Sequence, residues 1–414
     1  MNAFWKAPLA AAAVASALVG GAAAYTPPAP DKAVFDRTVE IVNKEFYRPS
    51  ELDAFNKAVG DIRADANGFA GADGATVAAA IDAALASLNT SHTARYAPDE
   101  VAYFELLDVF RFGYRRELRR LFPRDGEITY DGVGMATRPI DGKVFVIDVY
   151  DGGPAARADI KVGDEILAAD GAAFAEVGAF AGKAGKDVVL TLRRKENGPP
   201  RDIEVRVERL QPSEALLEAI SNSARVIDRD GRRIGYIRIW AYTHHDVGGI
   251  LNSVLGGGRL ADVDGLVLDL RSRWGGAPAD AAELFLGGTP EMEMIERDGD
   301  VRHVNTRWHK PVVGIIDEGT RSGMDIFANA FKQNGIPLVG AETAGDVVAG
   351  RGFLLPDDSL LVVAVADVLV DGKRLEGNPV EPDVEVPFDV RYAAGVDPQF
   401  DAALDLLMTR LTEG

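Results

Sequence analysis

The fold class is decided by Val312-Val-Gly-Ile-Ile-Asp317 and the turn that follows it, Gly319-Thr-Arg-Ser-Gly323. The first segment is a short apolar run of the kind found in buried strands, and the turn leads into a helical run over 323–333. A second unit of this type starts at Gly265-Leu-Val-Leu-Asp-Leu270 and passes through Trp274-Gly-Gly276 into an Ala/Leu-rich stretch, which we predict to be a helix. Strands that alternate with helices in this way predict a layered α/β domain.

On the N-terminal side of these units, the spacing of the apolar residues is different. Between 31 and 127 apolar residues recur every three or four positions, which predicts helices, with a third amphipathic run over 100–121. Between 128 and 210 the period changes to two, which predicts a small β-rich domain. We therefore expect an α+β multidomain chain with an N-terminal helical domain (31–127), a β-rich domain (128–210) and an α/β domain (211–414).

Length and composition exclude several classes of protein. The chain has 414 residues, enough for two or three domains. Its 45 Lys and Arg against 64 Asp and Glu give a formal charge of −19, which argues against nucleic acid as a partner. It has no Cys, which excludes a thiolate nucleophile, disulfides and cysteine-rich metal sites.

The N-terminus predicts export. Lys6 precedes an apolar stretch from Leu9 to Val19, and Ala22-x-Ala24 suits a signal peptidase. We interpret 1–24 as a signal peptide and 25–30 as a Pro-rich spacer. The alternative is an uncleaved membrane anchor, but the run is shorter than the roughly 20 residues that a spanning helix needs. The mature protein is expected in the periplasm, with no stable membrane insertion.

Ser322 is the candidate nucleophile. A serine at a sharp strand-to-helix turn is exposed and lies next to backbone N–H groups that can stabilise an oxyanion. The alternative is that Ser322 only caps the following helix. A serine nucleophile needs a base, and His92, in Leu88-Asn-Thr-Ser-His-Thr93, lies in the most suggestive setting. The pair His244-His245 is weak evidence for a metal, and we predict neither a metal nor a cofactor.

These residues together resemble the tail-specific, or C-terminal processing, serine peptidases and the related core of the tricorn protease. The resemblance extends over nearly all of the mature chain and depends on an ordered set of motifs. Besides the β-rich domain, the set consists of Ser91-His92-Thr93, Asp269-Leu-Arg-Ser-Arg-Trp-Gly-Gly276, Gly319-Thr-Arg-Ser-Gly-Met-Asp325, Val339-Gly-Ala-Glu-Thr-Ala-Gly345 and Leu375-Glu-Gly-Asn-Pro-Val-Glu-Pro-Asp383. It implies a crotonase-like ββα arrangement for the last domain.

The family has two branches that differ in the catalytic base. The processing peptidases use a lysine about 25 residues after the serine, where this chain has Gly345-Asp-Val347. The resemblance to the tricorn-like branch therefore implies a different set: Ser322 as nucleophile, His92 as base, and Ser91 with Glu376 as its supports. It also implies that Gly275 and Gly323 donate N–H groups to the oxyanion. From its local sequence alone, Glu376 reads as a solvated turn carboxylate.

The β-rich domain resembles a PDZ domain. Its loop Gly132-Val133-Gly134-Met135 looks like the loop that binds a peptide carboxylate, while the peptide adds as a strand to an open sheet edge. The alternative is a structural module in which these glycines serve only as turns.

The resulting expectation is an exported serine endopeptidase whose PDZ-like domain captures unstructured or C-terminal segments of peptides and proteins. The acyl-enzyme route needs no cofactor. Two alternatives stay open: an inactive scaffold that binds peptides, and a protein that binds apolar ligands, as the similar retinoid-binding proteins of the retina do.

Overall fold

The structure is a computed structural model that describes residues 28–65, 69–123, 125–288, 292–305 and 307–413. The expected signal peptide lies outside these residues. Among the helices of the described ranges, none combines the length and the apolar character that a membrane span requires.

The N-terminal region is mainly helical. Its elements are α1 (Lys32–Glu45), α2 (Leu52–Asp65), α3 (Gly74–Ala86), strand β1 (Ala94–Tyr96), α4 (Val101–Val109) and α5 (Arg115–Leu121). The expectation of a single amphipathic run over 100–121 is wrong, because a short 3₁₀ turn at Arg111–Gly113 separates α4 from α5. Gly113 is a poor helix former and accounts for the break.

The second region is a small antiparallel β-structure. Its elements are β2 (Tyr130–Gly132), β3 (Met135–Ile140), β4 (Lys143–Val149), α6 (Pro154–Arg157), β5 (Glu165–Ala169), β6 (Asp187–Arg193), β7 (Arg201–Arg206) and β8 (Glu208–Leu210). Strands β3-β4-β5-β6-β7 form a five-stranded sheet in this order, and β2 pairs with β8. Strand β3 therefore has one edge without a neighbouring strand in this sheet.

The third region has the expected α/β layers. Its elements are α7 (Pro212–Ser223), β9 (Arg225–Arg229), β10 (Arg232–Arg238), α8 (Val247–Gly256), β11 (Gly265–Asp269), α9 (Glu283–Leu286), β12 (Met292–Ile295), β13 (Val301–Asn305), β14 (Val312–Ile316), α10 (Gly323–Gln333), β15 (Leu338–Gly340), β16 (Val348–Leu354), β17 (Leu360–Asp367), β18 (Leu369–Val370), β19 (Lys373–Arg374), β20 (Val384–Glu385) and α11 (Pro398–Glu413). The α+β fold class predicted from the sequence is confirmed.

A six-stranded sheet in the order β20-β15-β14-β11-β10-β9 forms the centre of this region. It is parallel except at β9. Helix α11 packs on one face through Leu404 and Leu407, and α10 packs on the other through Phe327 and Phe331. Since β11 and β14 are adjacent and parallel, the turns that follow them lie side by side at the same sheet edge.

The Ala/Leu-rich stretch after Gly276 is not the helix that the sequence suggested. Only Glu283–Leu286 is helical there, and 277–282 forms turns. Pro278 disfavours helical geometry at the residue before it, which delays the start of the helix.

The N-terminal helices share a core with the third region. Strand β1 pairs antiparallel with β17, and β17 pairs with β16. Phe35 of α1 and Ile81 of α3 pack in one apolar cluster with Leu361 and Val363 of β17. This shared core fixes the segment between α3 and β1, which carries His92.

Candidate active site

Ser322 lies at the sharp turn between β14 and α10. Its backbone has φ 57° and ψ −126°, a conformation that costs energy for any residue other than glycine. Within the described structure the Ser322 side chain makes no capping hydrogen bond to the helix. The local interpretation of Ser322 as a simple helix cap is therefore not supported, and the strained turn presents its hydroxyl as a nucleophile elbow would.

Two glycines bring the neighbouring turn against Ser322. A Cβ atom on Gly275, which has φ +67°, would lie 2.7 Å from the Ser322 Cβ and would also collide with the carbonyl oxygen of Arg321. A Cβ atom on Gly323 would lie 2.5 Å from the backbone nitrogen of Ala277. The backbones of the two turns are thus in direct contact, and only glycine fits at both positions.

The amide groups of these glycines have no internal acceptor. In the part of the chain that the structure describes, the N–H groups of Gly275 and Gly323 make no hydrogen bond. The carbonyl of Gly275 accepts a hydrogen bond of 2.7 Å from the amide of Tyr242, which fixes the orientation of this turn. Two free donors beside a nucleophile are what an oxyanion hole requires.

His92 is held by a relay of polar groups. Its Nδ1 atom lies 2.9 Å from Ser91 Oγ, and Ser91 Oγ donates to Glu376 Oε2 at 2.8 Å. Glu376 also accepts from the amides of Ser91 at 3.0 Å and Val347 at 2.8 Å, and from Thr90 Oγ1 at 3.3 Å. Glu376 is therefore not a free turn carboxylate.

The direction of these hydrogen bonds fixes the tautomer of His92. The carboxylate of Glu376 can only accept, so the Ser91 hydroxyl donates to it and must receive its other hydrogen bond from His92. Nδ1 then carries the hydrogen, and Nε2 keeps the lone pair that takes up a proton. This is the tautomer that a general base needs.

The surroundings of the His92 ring favour its neutral form. Burial of the ring, helped by the charge of Arg321, lowers the pKa of His92 below its ordinary value, against opposing effects of Asp346 and Glu376. The ring packs on Gly350 of β16, where a Cβ atom would lie 3.2 Å from His92 Cδ2. His92 itself has φ 52°, a second strained backbone position at this site.

The structure brings His92, Ser91 and Glu376 together and places Gly275 and Gly323 beside Ser322. It contains no direct hydrogen bond between the His92 ring and the Ser322 hydroxyl. Arg321, which precedes Ser322, forms an ion pair with Asp346, and both charges act on the His92 ring. Catalytic hydrogen bonds are often long in free enzymes and shorten when substrate binds.

Asp346, at the position of the lysine in the other branch, has a structural role that the sequence did not reveal. Its carbonyl accepts from the Ser322 amide at 3.1 Å. Its own amide donates to Asp325 Oδ2 at 3.2 Å, and the Gly345 amide donates to Asp325 Oδ1 at 3.0 Å. Burial raises the pKa of Asp325 to about 6. Asp325 ends the motif that begins at Gly319, but its spacing does not indicate that it connects α10 to the loop at Gly345 and Asp346 by hydrogen bonds.

The PDZ-like loop has an orientation that suits anion binding. The carbonyls of Val133 and Gly134 accept from the amides of Ala155 at 2.8 Å and Tyr150 at 2.9 Å. Among the described residues the N–H groups of Val133 and Gly134 have no acceptor. Gly134 has φ +70°, and Met135 begins β3 directly after the turn. Successive free amides of this kind form a concave anion site.

One side chain engages part of the open edge of β3, at Thr137. Glu176 Oε1 accepts from the amide of Thr137 at 3.2 Å and from its hydroxyl at 2.9 Å. Glu176 Oε2 accepts from the amide of Val101, the first residue of α4, at 2.9 Å. The backbone donor that an added peptide strand would use at Thr137 is therefore already engaged. No motif or spacing in the sequence predicts this contact.

The two adjacent histidines lie apart from the relay. The His244 and His245 rings stack with centroids 4.4 Å apart, and Asp246 lies close enough for the three to hold a metal ion. However, His244 Nδ1 accepts from the Asp246 amide at 3.2 Å, and Nε2 faces Glu214 at 3.4 Å. Both nitrogens of His244 therefore have protein partners.

A cavity of about 680 Å³ lies between the PDZ-like and α/β regions. Thr137 of β3 lies at its wall on one side, and Trp274 and Arg321, next to Gly275 and Ser322, lie at its wall on the other. The cavity therefore extends from Thr137 on the open strand edge to Trp274 and Arg321, the residues that precede Gly275 and the candidate nucleophile Ser322.

Two parts of the chain match models of known families. Residues 233–386 match the model described as peptidase family S41, and residues 132–207 match that of the PDZ domain. The chain therefore contains a peptidase family S41 domain over 233–386 and a PDZ domain over 132–207. The S41 match contains Gly275, Ser322, Gly323 and Glu376, whereas His92 and Ser91 lie N-terminal to both matches.

Curated relatives of this chain include processing and tricorn-type proteases. The carboxy-terminal processing protease CtpB of Bacillus subtilis is 25% identical over 309 residues, which cover 70% of this chain and 62% of the relative. Tricorn protease homolog 1 of Streptomyces coelicolor is 28% identical over 273 residues, which cover 61% of this chain and 25% of the relative. The match thus spans less than two thirds of either relative.

The fold of this chain is also similar to that of a solved structure, mature CPAF complexed with lactacystin. The two agree with a TM-score of 0.51 at 13% identity, over 92% of this chain and 99% of the other. At this identity the likeness concerns the arrangement of elements alone.

Proposed function

We propose that the protein is an exported, periplasmic serine endopeptidase that hydrolyses peptide bonds in unstructured or C-terminal segments of peptides and proteins. The names of the processing and tricorn-type relatives support the reaction class. Export is proposed from the signal-like pattern over 1–24. The observation that carries the proposal is the relay from Glu376 through Ser91 to His92 Nδ1, because it leaves Nε2 as an acceptor on the side of the ring away from the relay.

In this reaction Ser322 Oγ attacks the carbonyl carbon of the scissile bond while its proton passes to His92 Nε2. The negative charge that develops on the carbonyl oxygen is stabilised by the amides of Gly275 and Gly323. The carbon–nitrogen bond then breaks, and the leaving amine takes the proton from His92. Water hydrolyses the acyl-enzyme by the same route, with His92 as base, and restores the free serine.

The PDZ-like domain is proposed to capture the substrate. A terminal carboxylate would bind the free amides of Val133 and Gly134, and the peptide would add as a strand along the open edge of β3. The cavity between Thr137 and Trp274 offers a path from that edge towards Ser322. The proposal therefore assigns capture and cleavage to opposite walls of one cavity.

A fluorophosphonate probe tests the reaction class directly. The wild-type protein is expected to be labelled at residue 322, as located by peptide mass spectrometry, because the probe reacts with an activated serine. Labelling is expected to disappear in Ser322→Ala and to slow strongly in His92→Ala. Ser253→Ala, which removes an exposed serine from α8, is the matched control and is expected to label like the wild type.

The opposite result would reject the peptidase proposal. If the folded wild-type protein is not labelled, or if Ser322→Ala is labelled to the same extent, Ser322 is not an activated nucleophile. An unlabelled protein that still binds peptides would then be the inactive scaffold that the sequence analysis left open.

Capture should depend on Glu176. Since Glu176 engages the Thr137 amide, Glu176→Ala is expected to increase affinity for peptides by about fivefold, the effect of about one net hydrogen bond. Binding is measured by fluorescence polarisation with an array of unstructured peptides bearing free or amidated C-termini, in a Ser322→Ala background to prevent cleavage. Glu204→Ala, at an exposed position of β7, is the control. Equal affinity of the two variants would show that Glu176 does not compete with the peptide.

A further inference from the structure

One buried carboxylate of the N-terminal region reaches the turn that carries the candidate oxyanion donor. Glu105 lies in the middle of α4 and is 3% exposed. Its Oε2 atom accepts from Arg273 Nε at 3.1 Å, from Arg273 Nη2 at 2.7 Å and from Trp274 Nε1 at 2.6 Å. Its Oε1 atom accepts from the hydroxyl of Tyr150. These partners account for both oxygens.

The two residues that Glu105 holds come directly before Gly275. Arg273 is fixed a second time through its amide, which donates to the carbonyl of Trp240 at 2.7 Å. A single carboxylate therefore restrains two consecutive side chains, and their backbone leads straight into the free amide of Gly275. A buried, charged hydrogen bond is a stiffer restraint than a neutral one.

Trp274 also touches the strand that follows His92. Its ring meets that of Tyr96 edge to face, with centroids 6.2 Å apart. Tyr96 belongs to β1, which begins two residues after His92. The Trp274 indole, which Glu105 holds, thus contacts the strand that follows the candidate base His92. The backbone of Trp274 continues into the turn that carries the Gly275 amide.

We infer that Glu105 is a positioning residue for catalysis, which sets the oxyanion donor of Gly275 relative to Ser322 through Arg273 and Trp274. It touches neither Ser322 nor His92, and it acts only through the residues it holds. The inference rests on the proposed peptidase activity and deepens it, since it assigns part of the catalytic geometry to the N-terminal helical region.

Glu105→Gln tests this role, because it keeps the size of the side chain and removes the charge that binds Arg273. The second-order rate of inactivation by the fluorophosphonate is expected to fall about 10- to 100-fold, the scale of a misplacement of about 1 Å. The ³¹P chemical shift of the adduct, whose phosphoryl oxygen occupies the oxyanion site, is expected to change. KM for an unstructured peptide substrate is expected to stay within about twofold while kcat falls.

Asp164→Asn is the matched control. Asp164 is also a fully buried carboxylate bound to an arginine, Arg194, at 2.8 Å, but it lies in the PDZ-like region. It is expected to lower stability without changing the inactivation rate or the ³¹P shift. Trp274→Phe keeps the ring beside Tyr96 and removes the hydrogen bond to Glu105, so it tests the same link if Glu105→Gln folds poorly.

The outcomes separate this inference from the proposed function. If the wild type is active and both variants keep its inactivation rate, ³¹P shift and kcat, Glu105 has only a structural role and the inference is wrong. If the wild type neither reacts with the probe nor cleaves peptides, the proposed function fails and this inference fails with it. The assignment is supported if Glu105→Gln and Trp274→Phe both lower the inactivation rate and kcat, and if the double variant lowers them no further.

Discussion

Replacing His92 with alanine is expected to lower kcat about 10⁴- to 10⁶-fold and to leave KM within a few-fold of the wild-type value. The size follows from what such a base does: without it the serine hydroxyl stays protonated, and only binding and oxyanion stabilisation accelerate the reaction. Cleavage of an unstructured protein such as casein, followed by release of new amino termini, measures the effect. His245→Ala, at an exposed site, is the control and is expected to be fully active.

The relay from Glu376 through Ser91 to His92 predicts a graded loss of activity among the variants of these residues. Ser91→Ala removes the acceptor of the Nδ1 hydrogen and the link to Glu376, and Glu376→Gln removes only the charge. Both are expected to be slower than the wild type but faster than His92→Ala, because Nε2 can still accept a proton. Activity of Ser91→Ala equal to that of the wild type would contradict the relay.

The pH profile offers an independent check of the same base. Catalysis needs the neutral ring, and the pKa of His92 is lowered by its burial and by the charge of Arg321. A lowered pKa means that the ring loses its proton at a lower pH than an ordinary histidine does. The acidic limb of kcat/KM is therefore expected below about pH 6.5, the usual value for histidine. A limb well above that value would indicate another base.

Much of the fold could be predicted from the sequence because its signals are local. The apolar runs at β11 and β14 and the period-two stretch before them gave the α/β and β-rich regions. The helix predicted after Gly276 begins only at Glu283, because its alanines and leucines favour a helix whereas Pro278 and two consecutive glycines with positive φ favour turns. The prediction of a single run over 100–121 is wrong for a similar reason, since the break between Val109 and Arg115 is marked in the sequence by only one glycine, Gly113.

The sequence predicts the residues of the candidate site that belong to motifs, but not the contacts of the acids that support them. Two motifs nearly 290 residues apart contain Ser91 with His92 and Glu376, and the structure joins these residues by hydrogen bonds across that separation. The contacts of Glu105, Glu176 and Asp325 were not predicted. Each is an acid whose partners lie outside its own helix or loop, at separations from 20 to 169 residues, and neither periodicity nor spacing distinguishes such an acid from a solvated one.

Gly275→Ala is expected to lower kcat at least 10²- to 10³-fold, the effect of losing one oxyanion donor. The added Cβ would lie 2.7 Å from the Ser322 Cβ and against the Arg321 carbonyl, so the turn must move away from the nucleophile. Since φ at Gly275 is +67°, an alanine there is also strained in its backbone, and this contribution needs a control. Steady-state kinetics and the rate of fluorophosphonate labelling both measure the loss.

Gly231→Ala separates the effect of backbone strain from the effect of the collision of the added Cβ atom. Gly231 has φ +77° in the turn between β9 and β10, and a Cβ atom there would meet no atom within 4 Å. This variant carries the same backbone strain without the collision and is expected to lose a little stability, about 1 kcal/mol, while keeping full activity. If Gly275→Ala instead retains wild-type kcat with the same loss of stability, the close contact of the two turns is not needed for catalysis. Loss of activity in Gly275→Ala alone would assign the effect to the position of the turn beside Ser322.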